Sequence, residues 1–328
     1  MRTACPARVC IDAALVVLCT ILYVPAVQAQ TYPSKPIRLL GIATAGSSSD
    51  VIGRATAEVL ARQMSAQFIV EPRGGAGGTI AATAVVKSEA DGYTLLLTGA
   101  AQAGMPWLYP NLGYDPIRDF AGVATLAELP NMLVVPPQRG WNSVKDLITA
   151  AKAKPGALNF GSGGTGSATH MNSEKLLLAT GISATHVPFK GTPEGLVEVA
   201  AGRLDWFFSP AAAAVALVKD GRLKALAISS KRRMAMLPDL PTLAEVGARE
   251  AEYQFWVGLL APRATPRAVI TLLNTEVQKA LAAPELIERY RILGAETLAM
   301  KPNELDTFLL AESESTGRIV KAANIMAQ

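Results

Sequence analysis

Apolar and polar positions along the chain follow a repeated order of strand, polar loop and helix. Residues 36–42 (PIRLLGI) form an apolar run that ends in the turn-prone segment 44–49, and apolar residues recur at helical spacing over residues 51–60. The order returns with a short apolar run at 68–71, a glycine-rich loop at 73–78 and an alanine-rich helical stretch. Strands that alternate with helices in this way predict an α/β fold with mostly parallel sheets flanked by helices.

Two apolar runs that end at proline interrupt this alternation. They are residues 131–136 (NMLVVP) and 256–262 (WVGLLAP), and the strand and helix pattern resumes between them. We interpret them as the two strands on which the chain crosses between domains. This predicts a discontinuous first domain, residues 31–130 plus 256–328, with a second domain inserted as residues 131–255.

The first 29 residues have the pattern of a secretory signal peptide. Arg2 and Arg8 precede an apolar run at 13–24, and small residues lead to a predicted cleavage after Ala29. A membrane-spanning helix needs about 20 apolar residues, so this run is too short to be an anchor. Removal of these 29 of the 328 residues leaves 299, which we expect to be exported to the periplasm without a membrane span.

Composition contributes mainly exclusions. Cys5, Cys10 and Cys19 all lie in the signal segment, so the mature chain has no thiol nucleophile, disulfide or cysteine-ligated metal. With only His170 and His186 as histidines, we expect no metal site and no cofactor. The net charge is +4, or +3 without the signal segment, and no block of five like charges indicates a nucleic-acid surface.

Two polar loops, each between a predicted strand and a predicted helix, are candidate anion sites. Segment 44–50 (TAGSSSD) combines serine hydroxyls with the N–H groups of a helix N-terminus, although Ser49 or Asp50 also suits a simple helix cap. Segment 161–170 (GSGGTGSATH) matches G-x-G-x-x-G. Residues 181–190 lack the acidic residue that a dinucleotide site requires, so we set that interpretation aside.

The second loop also permits a different hypothesis, an exported serine hydrolase. Ser162 or Ser167 would be the nucleophile and His170 its base. The chain has no G-x-S-x-G motif, and a histidine at this position also suits a role in bracing the loop.

A third candidate segment follows the apolar run at 93–97. Residues 98–104 (TGAAQAG) are predicted to be a loop at the same edge of the sheet, with Thr98, Gly99 and Gln102 facing a ligand. Three aromatic residues near predicted strand ends are candidates for the walls of the cleft. They are Trp107, Phe208 and Trp256.

Six segments in a fixed order carry a family resemblance. They are 32–38 (YPSKPIR), 70–78 (VEPRGGAGG), 90–95 (ADGYTL), 114–120 (YDPIRDF), 187–191 (VPFKG) and 237–245 (LPDLPTLAE). Through them the mature chain resembles the solute-binding receptors of tripartite tricarboxylate transporters, often called Bug receptors, from about residue 32 to residue 323.

The resemblance implies a two-domain, type II periplasmic-binding-protein-like fold that closes on its ligand. It implies a monomeric, non-enzymatic receptor that captures a carboxylate with residues 46–50 and 161–170, partly through bound water. The ligand would be a di- or tricarboxylate, an aromatic acid or an amino acid, and the partners would be membrane transporter subunits or a sensor protein. Residues 206–210 lie where family members vary to suit the rest of the ligand.

This chain departs from the family at two places. Family members often have a Pro-Phe segment and a Gly-Gly pair in the first loop, whereas residues 42–47 read IATAGS, and Ser209-Pro210 replaces a more polar pair. The predicted ligand-binding residues are Gly46, Ser47, Ser48, Ser49, Asp50, Thr98, Gly99, Gln102, Ser162, Gly163, Gly164, Thr165, Gly166, Ser167, His170, Lys190, Phe208, Ser209 and Trp256.

Overall fold

The computed structural model of the protein describes residues 32–189, 191–234 and 236–325. The predicted signal peptide, residues 1–29, lies outside the described residues. The contacts of the chain divide it after Ser34, and residues 35–328 form one compact unit. The domain boundaries at 130/131 and 255/256 stay a prediction.

A first sheet is built from both ends of this unit. Its strands are β1 (Ile37–Gly41), β2 (Phe68–Pro72), β3 (Thr94–Gly99), β4 (Phe120–Leu129), β10 (Phe255–Pro262) and β11 (Glu296–Thr297). Their order across the sheet is β11-β4-β10-β3-β1-β2. Strand β1 pairs in parallel with β2 and β3, and β10 lies antiparallel between β3 and β4.

A second sheet is built from the middle of the chain. Its strands are β5 (Asn131–Val135), β6 (Asn159–Ser162), β7 (Thr185–Pro188), β8 (Trp206–Pro210) and β9 (Lys224–Ile228), in the order β7-β6-β8-β5-β9. Strand β6 pairs in parallel with β7 and β8, and β5 lies antiparallel between β8 and β9. Only Pro130 separates β4 of the first sheet from β5 of the second, so the chain crosses between the sheets there.

The α-helices of the described chain follow most of the strands. They are α1 (Ser48–Met64), α2 (Thr79–Val86), α3 (Ala101–Leu108), α4 (Val144–Ala153), α5 (Ala168–Thr180), α6 (Thr192–Ala200), α7 (Ala211–Lys219), α8 (Arg267–Leu281), α9 (Pro284–Ile292) and α10 (Pro302–Ala322). Serine side chains cap the N-termini of α1, α4 and α5, and proline occupies the first position of α9 and α10. No helix in this part of the chain combines the length and apolar character needed to cross a membrane.

The buried side chains show why the second sheet has helices on both faces. Leu133 and Val135 belong to one hydrophobic core with Phe160 and Trp206, whereas Met132 and Val134 belong to another with Phe207 and Ile228. Successive residues of a strand point to opposite faces, so an uninterrupted apolar run requires cover on both.

The predicted α/β class with two helix-flanked sheets is confirmed. Four of the six strands in the first sheet run in one direction, as do four of the five in the second, among the residues that the structure describes. Five elements were not expected from the sequence: strands β4 and β11 and helices α3, α4 and α7. The strands that pair with β4 (FAGVATLAEL), β10 and β11, lie far away in the chain.

An ion network joins the first two strands at the outer edge of the first sheet. Arg38 on β1 donates to Glu71 on β2 at 2.6 Å, and Arg73 donates to the same carboxylate at 3.0 Å. The hydrogen bond from Arg38 is the main reason that the pKa of Glu71 falls to about 2. Glu71 is therefore ionised across the whole physiological pH range.

Candidate functional site

A cavity of about 660 Å³ lies between the two sheets. The carboxyl ends of three parallel strands from each sheet reach it. They are those of β1, β2 and β3 in one sheet and those of β6, β7 and β8 in the other. In open α/β sheets, ligands bind beyond the carboxyl ends of the strands. The lining includes residues 42–44, 74–78, 99–101, 163–169, 188–189, 191–192 and 210.

The lining of the cavity carries no charged side chain among the described residues. Its polar groups are hydroxyls, the amide of Asn131 and main-chain atoms, and its apolar walls include Ile42, Leu108, Phe189 and Phe255. The described residues also hold no group of three or more His, Cys, Asp or Glu side chains placed to bind a metal ion. Among the described residues, the groups that can balance a charge in the cavity are therefore dipoles.

The loops that precede α1 and α5 have the same local structure. Gly46 and Gly166 have φ angles of 76° and 78°, in the left-handed region that favours glycine. The next residue is the N-cap, with φ and ψ of −66° and 160° at Ser47 and −66° and 159° at Ser167. Each cap hydroxyl accepts a hydrogen bond at 3.3 Å from the N–H three residues later. The segments GSSSD and GSATH thus form equivalent turns.

The two turns leave four N–H groups without an acceptor among the described residues. These belong to Ser48 and Ser49 at the start of α1 and to Ala168 and Thr169 at the start of α5. All four residues line the cavity. Free N–H groups and the positive end of the helix dipole make a helix N-terminus attractive to anions. The cavity therefore has donors for an anion from both sheets.

Asp50 and His170 hold these turns closed. Asp50 Oδ2 accepts from Gly46 N at 2.9 Å, and the same carboxylate pairs with an arginine one turn later. His170 Nδ1 accepts from Gly166 N at 3.1 Å, so its ring proton is on Nε2, which lies 3.3 Å from Glu174 Oε1. Both side chains are buried, and neither residue lines the cavity.

A stack of aromatic rings packs against His170 in the second turn. His186 lies 3.8 Å from His170 and 5.0 Å from Phe160 between ring centroids. Burial, and to a smaller extent the neighbouring His170, lowers the pKa of His186 to about 3. His186 is therefore neutral at pH 7.

The serine–histidine pairs expected of a hydrolase do not form. His170 Nδ1 is occupied by the glycine N–H, and Ser167 Oγ is occupied as the helix cap. Ser162 instead lies 2.6 Å from His186 Nε2, but Ser162 is fully buried and does not line the cavity. A substrate in the cavity would not reach that hydroxyl.

The segment 98–104 is not the loop that the sequence suggested. Strand β3 continues to Gly99, and α3 begins two residues later. The side chain of Gln102 is buried, where it donates to Pro116 O at 2.7 Å and accepts from Thr98 Oγ1 at 3.3 Å. Thr98 and Gln102 therefore use their polar groups in hydrogen bonds with each other and with the backbone, and neither residue lines the cavity.

Three residues predicted near the ligand are buried in other surroundings. Trp256 is fully buried, with its ring centroid 5.5 Å from that of Phe308. Phe208 belongs to a core of the second sheet, and the buried Ser209 Oγ donates to Pro210 O at 3.0 Å. Because these residues lie on strands, their side chains point into the packed layers beside the sheets.

A second cavity, of about 500 Å³, has a different character. It lies beside β10, and its lining mixes basic and acidic side chains that include Lys175 and Glu312. Burial lowers the pKa of Lys175 and raises that of Glu312. Neither serine turn reaches this cavity, so the first cavity is the candidate site.

Comparison with known proteins identifies the family. The model of the tripartite tricarboxylate transporter family receptor matches residues 52–325. The chain belongs to this receptor family. The receptor is 32% identical to protein BugT of Bordetella pertussis over 298 residues, which is 90% of this chain and 91% of BugT. The resemblance inferred from the six sequence segments is confirmed.

Two solved structures are similar to the receptor along nearly all of their length. Rpa4515 of R. palustris, solved with adipate, has a TM-score of 0.82 and 32% identity, with 90% of this chain and 99% of that chain covered. MatC (Rpa3494) from Rhodopseudomonas palustris, solved with bound malate, has a TM-score of 0.79 and 28% identity, with coverages of 88% and 100%.

About half of the predicted binding residues line the cavity of the receptor. They are Ser47, Ser48, Ser49, Gly99, Gly163, Gly164, Thr165, Gly166 and Ser167. Lys190 lies outside the described residues. The predicted residues that do not line the cavity are Gly46, Asp50, Thr98, Gln102, Ser162, His170, Phe208, Ser209 and Trp256.

The receptor also has lining residues that the sequence analysis did not select. The glycine-rich segment 74–78 is one, together with Tyr109 and Asn131. A Cβ on Gly77 would lie 2.4 Å from Tyr109 Oη, so glycine lets this tyrosine approach the loop. The position of segment 74–78 after a predicted strand was a usable signal, because it follows the same rule as the two serine loops.

Proposed function

We propose that this receptor captures a small carboxylate-bearing molecule in the cavity between its sheets. It would act in the periplasm and deliver the ligand to membrane subunits of a tripartite tricarboxylate-type transporter or to a sensor protein. The observation that carries the proposal is the pair of helix N-termini, those of α1 and α5. Their free N–H groups share one cavity in which no described lining side chain is charged.

A carboxylate suits this pair of donors. The ion loses its hydration when it enters the cavity, and hydrogen bonds to both of its oxygens must replace that hydration. The N–H groups of Ser48 and Ser49 are available on one side and those of Ala168 and Thr169 on the other. Hydrogen bonds to a charged acceptor are stronger than neutral ones, and both helix dipoles favour the negative charge.

The rest of the cavity sets the class of ligand. Its volume of about 660 Å³ admits a small molecule, and Ile42, Leu108 and Phe189 give it apolar walls. A di- or tricarboxylate, an aromatic acid or an amino acid fits this description. Adipate in Rpa4515 and malate in MatC support the class, because both proteins are similar to this receptor over most of its length.

Ligand capture would be coupled to closure of two domains. We assign residues 31–130 plus 256–328 to one domain and residues 131–255 to the other. The chain passes between the two sheets directly at Pro130, and β10 returns it to the first sheet. Few connections let the two halves rotate about a hinge, and a ligand held by loops from both sheets would stabilise the closed arrangement.

The receptor would bind its ligand without converting it. Among the described residues that line the cavity, none has a histidine or carboxylate side chain that could act on a substrate. As a check on the hydrolase alternative, incubation with nitrophenyl esters should give the same rate for the native chain and for Ser162→Ala. A rate that depends on Ser162 would favour the enzyme.

Two measurements on residues 30–328 test the proposal. Native mass spectrometry of freshly purified protein should reveal a retained acid, whose mass narrows the ligand. Calorimetric titration should then show binding of at least one acid from a panel of succinate, citrate, benzoate and glutamate, and no binding of succinamide, the neutral analogue of succinate. A ligand with a Kd of about 1 μM, present at about 100 μM, would also stabilise the fold by about 2.7 kcal/mol. Failure of every acid, or equal binding of the amide, would contradict carboxylate capture.

A further inference from the structure

Asn131 is a buried amide in the wall of the cavity. It is the first residue of β5, directly after the crossing at Pro130, and it is 0% exposed. Its backbone is fully engaged, because Asn131 N donates to Ser229 Oγ at 3.1 Å and Asn131 O accepts from Ser229 N at 2.8 Å. The side chain is therefore held at a fixed position beside the ligand space.

A chain of hydrogen bonds fixes which way this amide points. The carbonyl of Ala251 can only accept, so the Asn172 side chain must present Nδ2 to it, at 3.1 Å. Asn172 Oδ1 then faces Asn131 and requires a donor, which is Asn131 Nδ2 at 3.3 Å. The reversed orientation of Asn131 would place two oxygens against each other. Asn131 Oδ1 must therefore point away from Asn172.

This oxygen has no hydrogen-bond donor among the described residues, although it is buried. Buried amide oxygens in folded proteins almost always accept a hydrogen bond, and an unsatisfied one indicates a missing partner. The other polar features of the lining favour an anion, since the helix N-termini present N–H groups. Asn131 Oδ1 has the opposite preference, because it repels a carboxylate oxygen and attracts an O–H or N–H.

We propose that Asn131 selects ligands that carry a hydrogen-bond donor, a hydroxyl or a protonated amine, in addition to the carboxylate. The inference rests on the proposed function, because the carboxylate end must first be held by the turns before α1 and α5. The favoured class is thus a hydroxy acid or an amino acid. An acid of equal length without the donor leaves Asn131 Oδ1 unsatisfied and binds more weakly.

Matched ligand pairs test this selection on residues 30–328. Calorimetric titration compares malate with succinate and 2-hydroxyadipate with adipate, since each pair differs by one hydroxyl. Aspartate against succinate makes the same comparison for an amine. For the pair of fitting length, the member with the donor should bind about tenfold more tightly or better.

Variants of Asn131 test whether its side chain causes the preference for ligands with a hydrogen-bond donor. Asn131→Leu keeps the size and removes the acceptor, so the ratio within the pair should fall to about one while the acid without the donor binds as before. Asn131→Ala removes the same acceptor with a smaller side chain, and the ratio within the pair should fall in the same way if Asn131→Leu does not fold. Asn303→Leu, the same substitution at an exposed position outside the cavity, should change neither affinity nor ratio.

The outcomes separate this inference from the proposed function. If acids bind but the members of every pair bind equally, or if Asn131→Leu keeps the full preference, selection by Asn131 is wrong and carboxylate capture stands. If no acid binds to the native chain, carboxylate capture fails and the inference fails with it.

Discussion

The proposed use of backbone N–H groups can be tested by removing one N–H at a time. Ser48 and Ala168 occupy the first position of α1 and α5, and their N–H groups have no acceptor among the described residues. Proline lacks this N–H and is favoured at the first position of a helix. The variants Ser48→Pro and Ala168→Pro should each delete one donor to the ligand.

The local backbone already suits proline at both sites. The residue before a proline prefers an extended conformation, and the two N-caps have ψ angles of 160° and 159°. The chain itself places Pro284 and Pro302 at the first position of α9 and α10. We therefore expect the thermal stability of both variants to remain close to that of the native protein.

The size of the effect follows from the type of hydrogen bond. A hydrogen bond to a charged group contributes about 1.5 to 3 kcal/mol. Since about 1.4 kcal/mol corresponds to a factor of ten in Kd, each proline should weaken carboxylate binding by about 10-fold to 150-fold. The turns are equivalent, so the two variants should show losses of similar size.

Calorimetric titration with the acid that binds most tightly measures these losses. Ser48→Ala controls for the hydroxyl that Ser48→Pro also removes. Arg267→Pro, which puts proline at the first position of α8 away from the cavity, controls for the proline itself. Affinities within about twofold of the native value in both folded cavity variants would refute capture by these N–H groups.

Three further predictions concern stability. Gly166→Ala should destabilise the fold more than Gly46→Ala, because both glycines have a positive φ but only at Gly166 would a Cβ clash, 2.4 Å from Leu108 Cδ1. Urea unfolding of the two variants measures the two losses of stability, and equal losses would contradict a cost from the clash. Because the folded pKa of His186 is about 3, below its ordinary 6.5, its neutral form stabilises the protein above pH 6.5 and this contribution is lost as the pH falls toward 3, at up to about 1.4 kcal/mol per pH unit. The free energy of unfolding of His186→Gln should therefore depend less on pH across that window, and an unchanged dependence would contradict the assignment. Because the folded pKa of Glu71 is lowered from 4.5 to about 2, its contribution is present above pH 4.5 and lost as the pH falls through 2, so Glu71→Gln should be less stable at pH 7 and differ little at pH 2; an equal difference at both pH values would argue against the ion network.

Features that depend on neighbouring residues were predictable from the sequence. The order of strand, loop and helix follows from apolar spacing within each segment. The two turns are local, since glycine at a positive φ and serine at a cap lie within the five residues GSSSD and GSATH, although the cap of α1 is Ser47 and not Ser49 or Asp50 as the sequence suggested. The bracing role of His170, one of the three roles that the sequence suggested for it, also follows from its distance of four residues from Gly166.

Features that depend on distant pairing were not predictable in this way. Strand β4 was missed because it is stabilised by β10, in a register such as Leu259 with Ala124, more than a hundred residues apart. Gln102 was predicted to face the ligand, because the sequence does not show that its side chain is buried against a carbonyl in the following loop. A single sequence does not show which apolar run will cover which polar side chain.

The sequence by itself determined the alternating fold and the two serine turns, because turns, caps and periodicity are set within a few residues. The tertiary structure decided which residues face the cavity. It moved Trp256 into a core and brought Asn131, Asn172 and Ala251 together from three separate elements. Burial and the direction of a hydrogen bond depend on every neighbour in space, and these neighbours come from both sheets.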